Sequence, residues 1–67
     1  MQNIPNGVAE FVLVVKLGSF SKAALTLNLS RSRMSQIVSA LEKEVGVQLL
    51  HRSTRALSLT AAGQLFF

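Results

Sequence analysis

The sequence lacks cysteine and aspartate, and its only acidic residues are three glutamates. Without cysteine the chain can form neither disulfides nor thiolate metal sites, and a reducing compartment is natural for it. Glu42 and Glu44 are two residues apart and do not share a helix face, and His51 has no histidine or cysteine to act with. We therefore predict no catalytic residue, no metal site, no cofactor and no enzymatic activity.

Long apolar runs are also missing. The longest unbroken run is Phe11 to Val15, far shorter than the ~20 residues of a membrane-spanning helix. The first positive charge is Lys16, so no basic segment precedes an apolar one as in a secretory signal. We expect a cytoplasmic protein without a membrane partner.

What the chain does have is positive charge. Seven lysines and arginines against three glutamates give a net charge of +4 over 67 residues. This balance favours a polyanionic partner, either nucleic acid or an anionic membrane surface, with a merely soluble basic domain as the alternative. One small domain of this size buries only ~60% of its unfolded surface, so self-association would help its stability.

The first predicted helix is apolar on more than one side. Pro5 suits its first turn, and Gly18 is a natural end. One face carries Val8, Phe11, Val12 and Val15 at helical spacing. Outside that stripe lie Leu13, Val14 and Leu17. A second apolar face must also be buried, so we predict that these three residues form a dimer surface.

A short helix, a tight turn and a longer helix follow. We predict that Ser21 caps the second helix, which contains Ala23, Ala24, Leu25 and Leu27, and that Asn28 ends it in the left-handed conformation. Ser30 is the expected cap of a third helix over about residues 31–45, which Gly46 terminates. This is the pattern of a helix-turn-helix, which lays its second helix in the DNA major groove.

The third helix has two distinct faces when its residues are projected at helical spacing. The predicted core face consists of Met34, Ile37, Val38, Leu41 and Val45. The opposite arc carries Ser32, Ser35, Gln36, Ser39 and Lys43. Small hydroxyls and an amide suit close approach to base edges and phosphates, whereas a merely solvated face normally carries Glu and Lys.

After Gly46 the pattern changes to short strand-like runs, residues 47–51 and 56–59, around a loop with Arg52 and Arg55 at its ends. This predicts a small β-hairpin wing. Thr60 can cap a last helix that runs from Ala61 to the end of the sequence at Phe66 and Phe67.

Together these features resemble the N-terminal DNA-binding domain of the LysR-type bacterial transcriptional regulators. The residues that carry the resemblance are Phe11, Gly18-Ser19-Phe20, Ala23-Ala24, Leu29-Ser30, Ser35, Leu41-Glu42, Val45 to Leu50, Arg52 to Arg55, Leu57 to Thr60 and Gly63. The resemblance implies a mainly α fold, a winged helix-turn-helix over residues 1–59, and over 60–67 the start of a linker helix that pairs two subunits. Together with the apolar second face of helix 1, this predicts a homodimer through helix 1 and the linker helix, with Leu13, Val14, Leu17, Phe66 and Phe67 in its interface.

Full-length members of that family continue into a domain that senses a small molecule. We therefore expect this chain to be a fragment, an engineered domain or a truncated relative, with any effector acting only through the missing domain. Three positions depart from the family pattern. Arg33 replaces a small residue, Ser39 stands where Arg or Lys is common, and Thr60 is not followed by glutamate.

The resulting hypothesis is sequence-specific binding of double-stranded DNA by a dimer, as in bacterial transcription regulation. We expect the recognition helix in the major groove and the wing, residues 52–55, on the backbone or in the minor groove. The candidate DNA-binding residues are Lys22, Ser30, Arg31, Ser32, Arg33, Ser35, Gln36, Ser39, Arg52 and Arg55. The alternatives are a non-specific architectural DNA-binding protein and a helix-turn-helix used only for protein–protein contact.

Overall fold

Four helices and a two-stranded hairpin make up the part of the chain that a computed structural model describes, which is residues 6–52 and 57–66 without the side chain of residue 66. The elements in chain order are α1 (Val8–Leu17), α2 (Phe20–Leu27), α3 (Arg31–Val45), β1 (Leu50–Arg52), β2 (Leu57–Leu59) and α4 (Ala61–Phe66). The mainly α, winged helix-turn-helix architecture predicted from the sequence is confirmed. Pro5, Arg55, Phe67 and the side chain of Phe66 lie outside the described residues.

Helix α1 ends at Gly18, as predicted, in the left-handed conformation with φ 68°. Its buried stripe differs from the predicted one, because Phe11 and Val14 are both fully buried. Assigning Val14 to a free dimer face was therefore wrong. The reason is that α1 packs against both α2 and α3, so the core surrounds a wider arc of this helix than one stripe. Leu13 is half-buried and Leu17 exposed.

Helix α2 begins two residues earlier than a Ser21 cap would allow, so that prediction was wrong. Ser19 is the N-cap, and its hydroxyl oxygen accepts a hydrogen bond from the backbone N–H of Lys22 at 3.2 Å. The difference comes from Phe20, whose buried ring occupies the first helical position. A helix starting after Ser21 would leave Phe20 in the preceding turn.

The turn between α2 and α3 follows the prediction. Asn28 adopts φ 58° and ψ 43°, and the N–H of Leu29 donates to the carbonyl of Ala24 at 2.8 Å. Ser30 caps α3 by accepting from the N–H of Arg33 at 3.0 Å. Gly46 ends α3 at φ 82°. The predicted core face is confirmed, with Met34, Val38 and Leu41 fully buried and Ile37 and Val45 half-buried.

The wing is an antiparallel hairpin in which Leu50 lies opposite Leu59 and Arg52 opposite Leu57. Its first strand is shorter and later than the predicted residues 47–51. The cause is Leu49, which is fully buried in the core before the ladder begins. Two short strands are marginal alone, so this hairpin depends on its contacts with the helices.

Helix α4 is fixed to the rest of the domain at its first turn. The Thr60 hydroxyl accepts from the N–H of Gly63 at 2.9 Å, as the predicted cap requires, and donates to the carbonyl of Gln48 at 2.6 Å. Gly63 packs so closely on the carbonyl of Leu49 that a Cβ there would overlap it. None of the helices in the described ranges is long and apolar enough to cross a membrane.

Candidate nucleic-acid interface

The exposed start of α3 is basic. Arg31, Ser32 and Arg33 all face solvent in its first turn. Ser30 is exposed too, but its hydroxyl oxygen is engaged by the cap bond to the N–H of Arg33. The first turn therefore combines two guanidinium groups with N–H groups at the positive end of the helix dipole, an arrangement that attracts phosphate.

The two arginines of this turn point to different sides of α3, as the sequence predicted. The guanidinium of Arg31 lies 6.0 Å from the ring centroid of Phe20, at the start of α2. Arg33 instead lines a shallow cleft together with Ile37 and the start of α1, residues 6–10. One docking pose on DNA cannot present both side chains to the same base pairs.

Between these two sides lies the polar face of α3. Ser32, Gln36, Ser39 and Lys43 are exposed and Ser35 is half-buried, whereas the opposite face of the helix is packed in the core. Nearby, Lys22 is exposed in the first turn of α2. The face thus offers hydroxyl, amide and ammonium groups, with the small exposed Ala40 at its edge. Such groups can hydrogen-bond to base edges and phosphate oxygens.

Glu42 connects α3 to the wing. One carboxylate oxygen accepts from the backbone N–H groups of Leu49 at 2.8 Å and Leu50 at 3.1 Å. The other accepts from the guanidinium of Arg52 at 3.0 Å. The carboxylate thereby satisfies two N–H groups of buried residues that lie just before and at the start of β1. It fixes this segment against the C-terminal half of the recognition helix.

Arg52 was predicted at the end of the wing loop, free to grip DNA. In the structure it is the last residue of β1 and its guanidinium is turned toward α3. Besides Glu42, the guanidinium donates to the Ser39 hydroxyl at 2.9 Å and lies 5.2 Å from the centroid of the Phe20 ring. Its positive charge is therefore paired within the domain, and its side chain is only 31% exposed.

Sequence reasoning missed the roles of Glu42 and Phe20. Glu42 was weighed as a catalytic carboxylate and as part of the family pattern, and Phe20 only as part of that pattern. The separation of ten residues between Glu42 and Arg52 crosses the turn at Gly46, whose geometry no periodic pattern specifies. The available signal is a glutamate near the end of a helix that is followed by a turn and by an arginine at a strand end.

Residues 6–64 match the model of the bacterial regulatory helix-turn-helix proteins of the lysR family. The chain belongs to this family. It is similar to an HTH-type transcriptional repressor of Pseudomonas aeruginosa, with 57% identity over 60 residues, which is 90% of this chain and 19% of the repressor. It is also similar to the transcriptional activator AaeR of Escherichia coli, with 51% identity over 57 residues, 85% of this chain and 18% of AaeR.

Solved structures agree with this LysR-family assignment. The DNA-binding domain of BenM, in a complex with catB site 1 DNA, superposes with a TM-score of 0.84 at 38% identity, covering 90% of this chain and 67% of that one. Oxidized OxyR of Corynebacterium glutamicum gives a TM-score of 0.86 at 36% identity, covering 97% of this chain and 22% of OxyR. The chain thus spans about a fifth of the length of the full-length regulators it matches.

Proposed function

We propose that this LysR-family domain binds double-stranded DNA sequence-selectively and serves as the DNA-binding part of a bacterial transcriptional regulator acting in the cytoplasm. The observation that carries the proposal is the uncovered polar face of α3 next to its basic first turn. A helix with this surface can enter the major groove, where hydroxyl, amide and guanidinium groups distinguish base pairs.

Within this proposal the residues divide by chemistry. Gln36 can pair bidentately with adenine and Arg31 with guanine, each pair discriminating by ~1–3 kcal/mol. Arg33 and the exposed Lys22 of α2 suit phosphates. Single hydrogen bonds to the DNA are assigned to the hydroxyl groups of Ser30, Ser32, Ser35 and Ser39. Arg55 is assigned to the backbone or minor groove beside the wing.

The proposal includes a homodimer. Of the residues predicted for its interface, Leu17 is exposed and Leu13 half-buried on α1, whereas Phe67 and the side chain of Phe66 lie outside the described residues. Leu65 on α4 is 91% exposed, which makes it a further candidate for this interface. Two-fold pairing would present two recognition helices to half-sites about one helical turn apart.

The relatives support the regulatory part of the proposal. Their names describe a repressor and an activator, and the BenM and CbnR domains were solved on DNA. Since those regulators are about five times longer than this chain, the proposal assigns it DNA recognition and no effector site. It assigns no reaction to any residue.

The proposal is tested by selecting bound sequences from a randomised duplex library at near-physiological salt. The wild-type chain should enrich a two-fold symmetric motif, and Arg31→Ala and Gln36→Ala should each relax the preference at a different position. Glu44→Gln changes an exposed side chain of α3 outside the candidate DNA-binding and dimer residues and should leave the motif unchanged. Retention of all duplexes without a motif would favour the architectural alternative, and no retention would favour a protein–protein module.

A further inference from the structure

We propose that Arg52 is a positioning residue, which holds the wing on the recognition helix and orients the Ser39 hydroxyl toward DNA, and that it does not neutralise a DNA phosphate. The inference rests on the proposed DNA-binding function and deepens it. A basic residue at the base of a DNA-binding wing would ordinarily be assigned to the DNA backbone. Here its guanidinium contacts residues of the domain itself.

The charge of the Arg52 guanidinium is compensated within the domain. The Arg52 guanidinium lies 3.0 Å from the Glu42 carboxylate, whose side chain is only 13% exposed, and it is stacked beside the Phe20 ring. A phosphate would have to compete with a carboxylate that already accepts from this guanidinium. Binding there would also bring two anions together, because Glu42 is fixed by the N–H groups of Leu49 and Leu50.

The Arg52 guanidinium also fixes the direction of the Ser39 hydroxyl. The planar guanidinium spans two acceptors on α3, Ser39 Oγ with one terminal nitrogen and Glu42 Oε1 with the other. Because Ser39 Oγ accepts from Arg52, the Ser39 hydroxyl proton must point away from the guanidinium. Ser39 is exposed on the polar face, so that proton becomes available to an acceptor in the groove, such as a purine N7 or a phosphate oxygen.

Arginine and lysine differ in the shape of the cation. Lysine carries a point charge on a flexible stem and lacks the rigid fork that bonds two acceptors at once. Arg52→Lys therefore preserves the charge and loses the simultaneous bonds to Ser39 and Glu42. If Arg52 bound a DNA phosphate, a lysine at this position would bind it nearly as well. If it acts by positioning, Lys should behave like the neutral variant Arg52→Gln.

The experiment measures duplex affinity against salt concentration for the wild-type chain, Arg52→Gln and Arg52→Lys on the selected sequence. We expect both variants to bind about tenfold more weakly at every salt concentration, with a log–log salt slope equal to that of the wild type. Each lost phosphate contact should reduce the magnitude of the slope by about 0.9, and a dimer would lose two of them, so a reduction of about 1.8 for Arg52→Gln would overturn the proposal. So would wild-type affinity for Arg52→Lys. Lys22→Gln is the comparator, with the reduced slope expected of a phosphate contact.

A double-mutant cycle tests whether Arg52 acts through Ser39. Ser39→Ala should weaken binding about fivefold in the wild-type background and less than about twofold in the Arg52→Gln background, since coupled contacts are not additive. Equal effects in both backgrounds would refute the coupling. The variants are first compared by circular dichroism, so that only folded chains enter the comparison.

A wild-type chain that binds no duplex would refute the proposed function, and the role of Arg52 is then decided by stability alone. In that case the unfolding equilibrium is measured for Glu42→Gln, for Arg52→Gln and for the double variant. If Arg52 is a positioning residue, the effects of the two substitutions should be non-additive, by at least about fivefold in the unfolding equilibrium constant. Additive effects would overturn the assignment independently of any DNA.

Discussion

Replacing Glu42 by alanine should destabilise the domain more than any change of a surface residue on α3. The substitution removes the acceptor of two backbone N–H groups, on the buried residues Leu49 and Leu50, and the partner of the Arg52 guanidinium. Each buried N–H left without a partner costs ~1–3 kcal/mol, and loss of a partly exposed ion pair adds about 1 kcal/mol or less.

The Arg52 end of this ion pair is about one-third exposed, so water will re-solvate the freed guanidinium and reduce the loss. We therefore expect about 2–4 kcal/mol for Glu42→Ala. A domain of 67 residues has a total stability of about 3–10 kcal/mol, so the variant should lose a large part of its folding free energy. Glu42→Gln keeps one acceptor oxygen and should cost about 1–2 kcal/mol.

The assay is urea denaturation followed by far-ultraviolet circular dichroism, because the chain has neither tryptophan nor tyrosine to report by fluorescence. Glu44→Ala provides the matched control, a glutamate exposed on the same helix, and should change stability by less than about 0.5 kcal/mol. If Glu42→Ala behaved like Glu44→Ala, Glu42 would not be the residue that joins α3 to the wing.

Three further predictions concern stability and are checked by thermal unfolding. Gly63→Ala should cost about 1–3 kcal/mol because its Cβ would overlap the Leu49 carbonyl; a wild-type melting temperature would contradict this packing. Asn28→Ala should cost about 1 kcal/mol and Asn28→Gly much less, since only glycine enters the left-handed region freely; equal losses would contradict a backbone cause. Ser30→Ala should cost about 1 kcal/mol through loss of the bond to the Arg33 N–H, and Ser30→Asp should retain that cap; equal melting temperatures for Ser30→Ala and the wild type would contradict it.

The helices could be predicted because their signals are local. Gly18, Asn28 and Gly46 end helices by their own backbone preferences, and Ser30 caps the helix that starts beside it. The core face of α3 follows from helical spacing alone. Local signals fail where two candidates compete, as at the start of α2, where burial of Phe20 decides the cap.

Tertiary contacts could not be read from the sequence in the same way. The environment of Val14 depends on how many helices surround α1, and that of Arg52 on the turn that brings β1 back beside α3. Sequence patterns identified Arg52 as a cation of the wing. Only the arrangement of Ser39, Glu42 and Phe20 around it shows where its charge is paired.

The close packing at the root of α4 has a geometric consequence. Because Gly63 lies against the Leu49 carbonyl and Thr60 bonds to the Gln48 carbonyl, α4 leaves the domain in one direction. If two copies pair through this helix, that direction sets the distance between the two recognition helices. A tilt at its base would be multiplied along the helix and would change the distance between the two recognition helices, and with it the half-site spacing that a dimer can span.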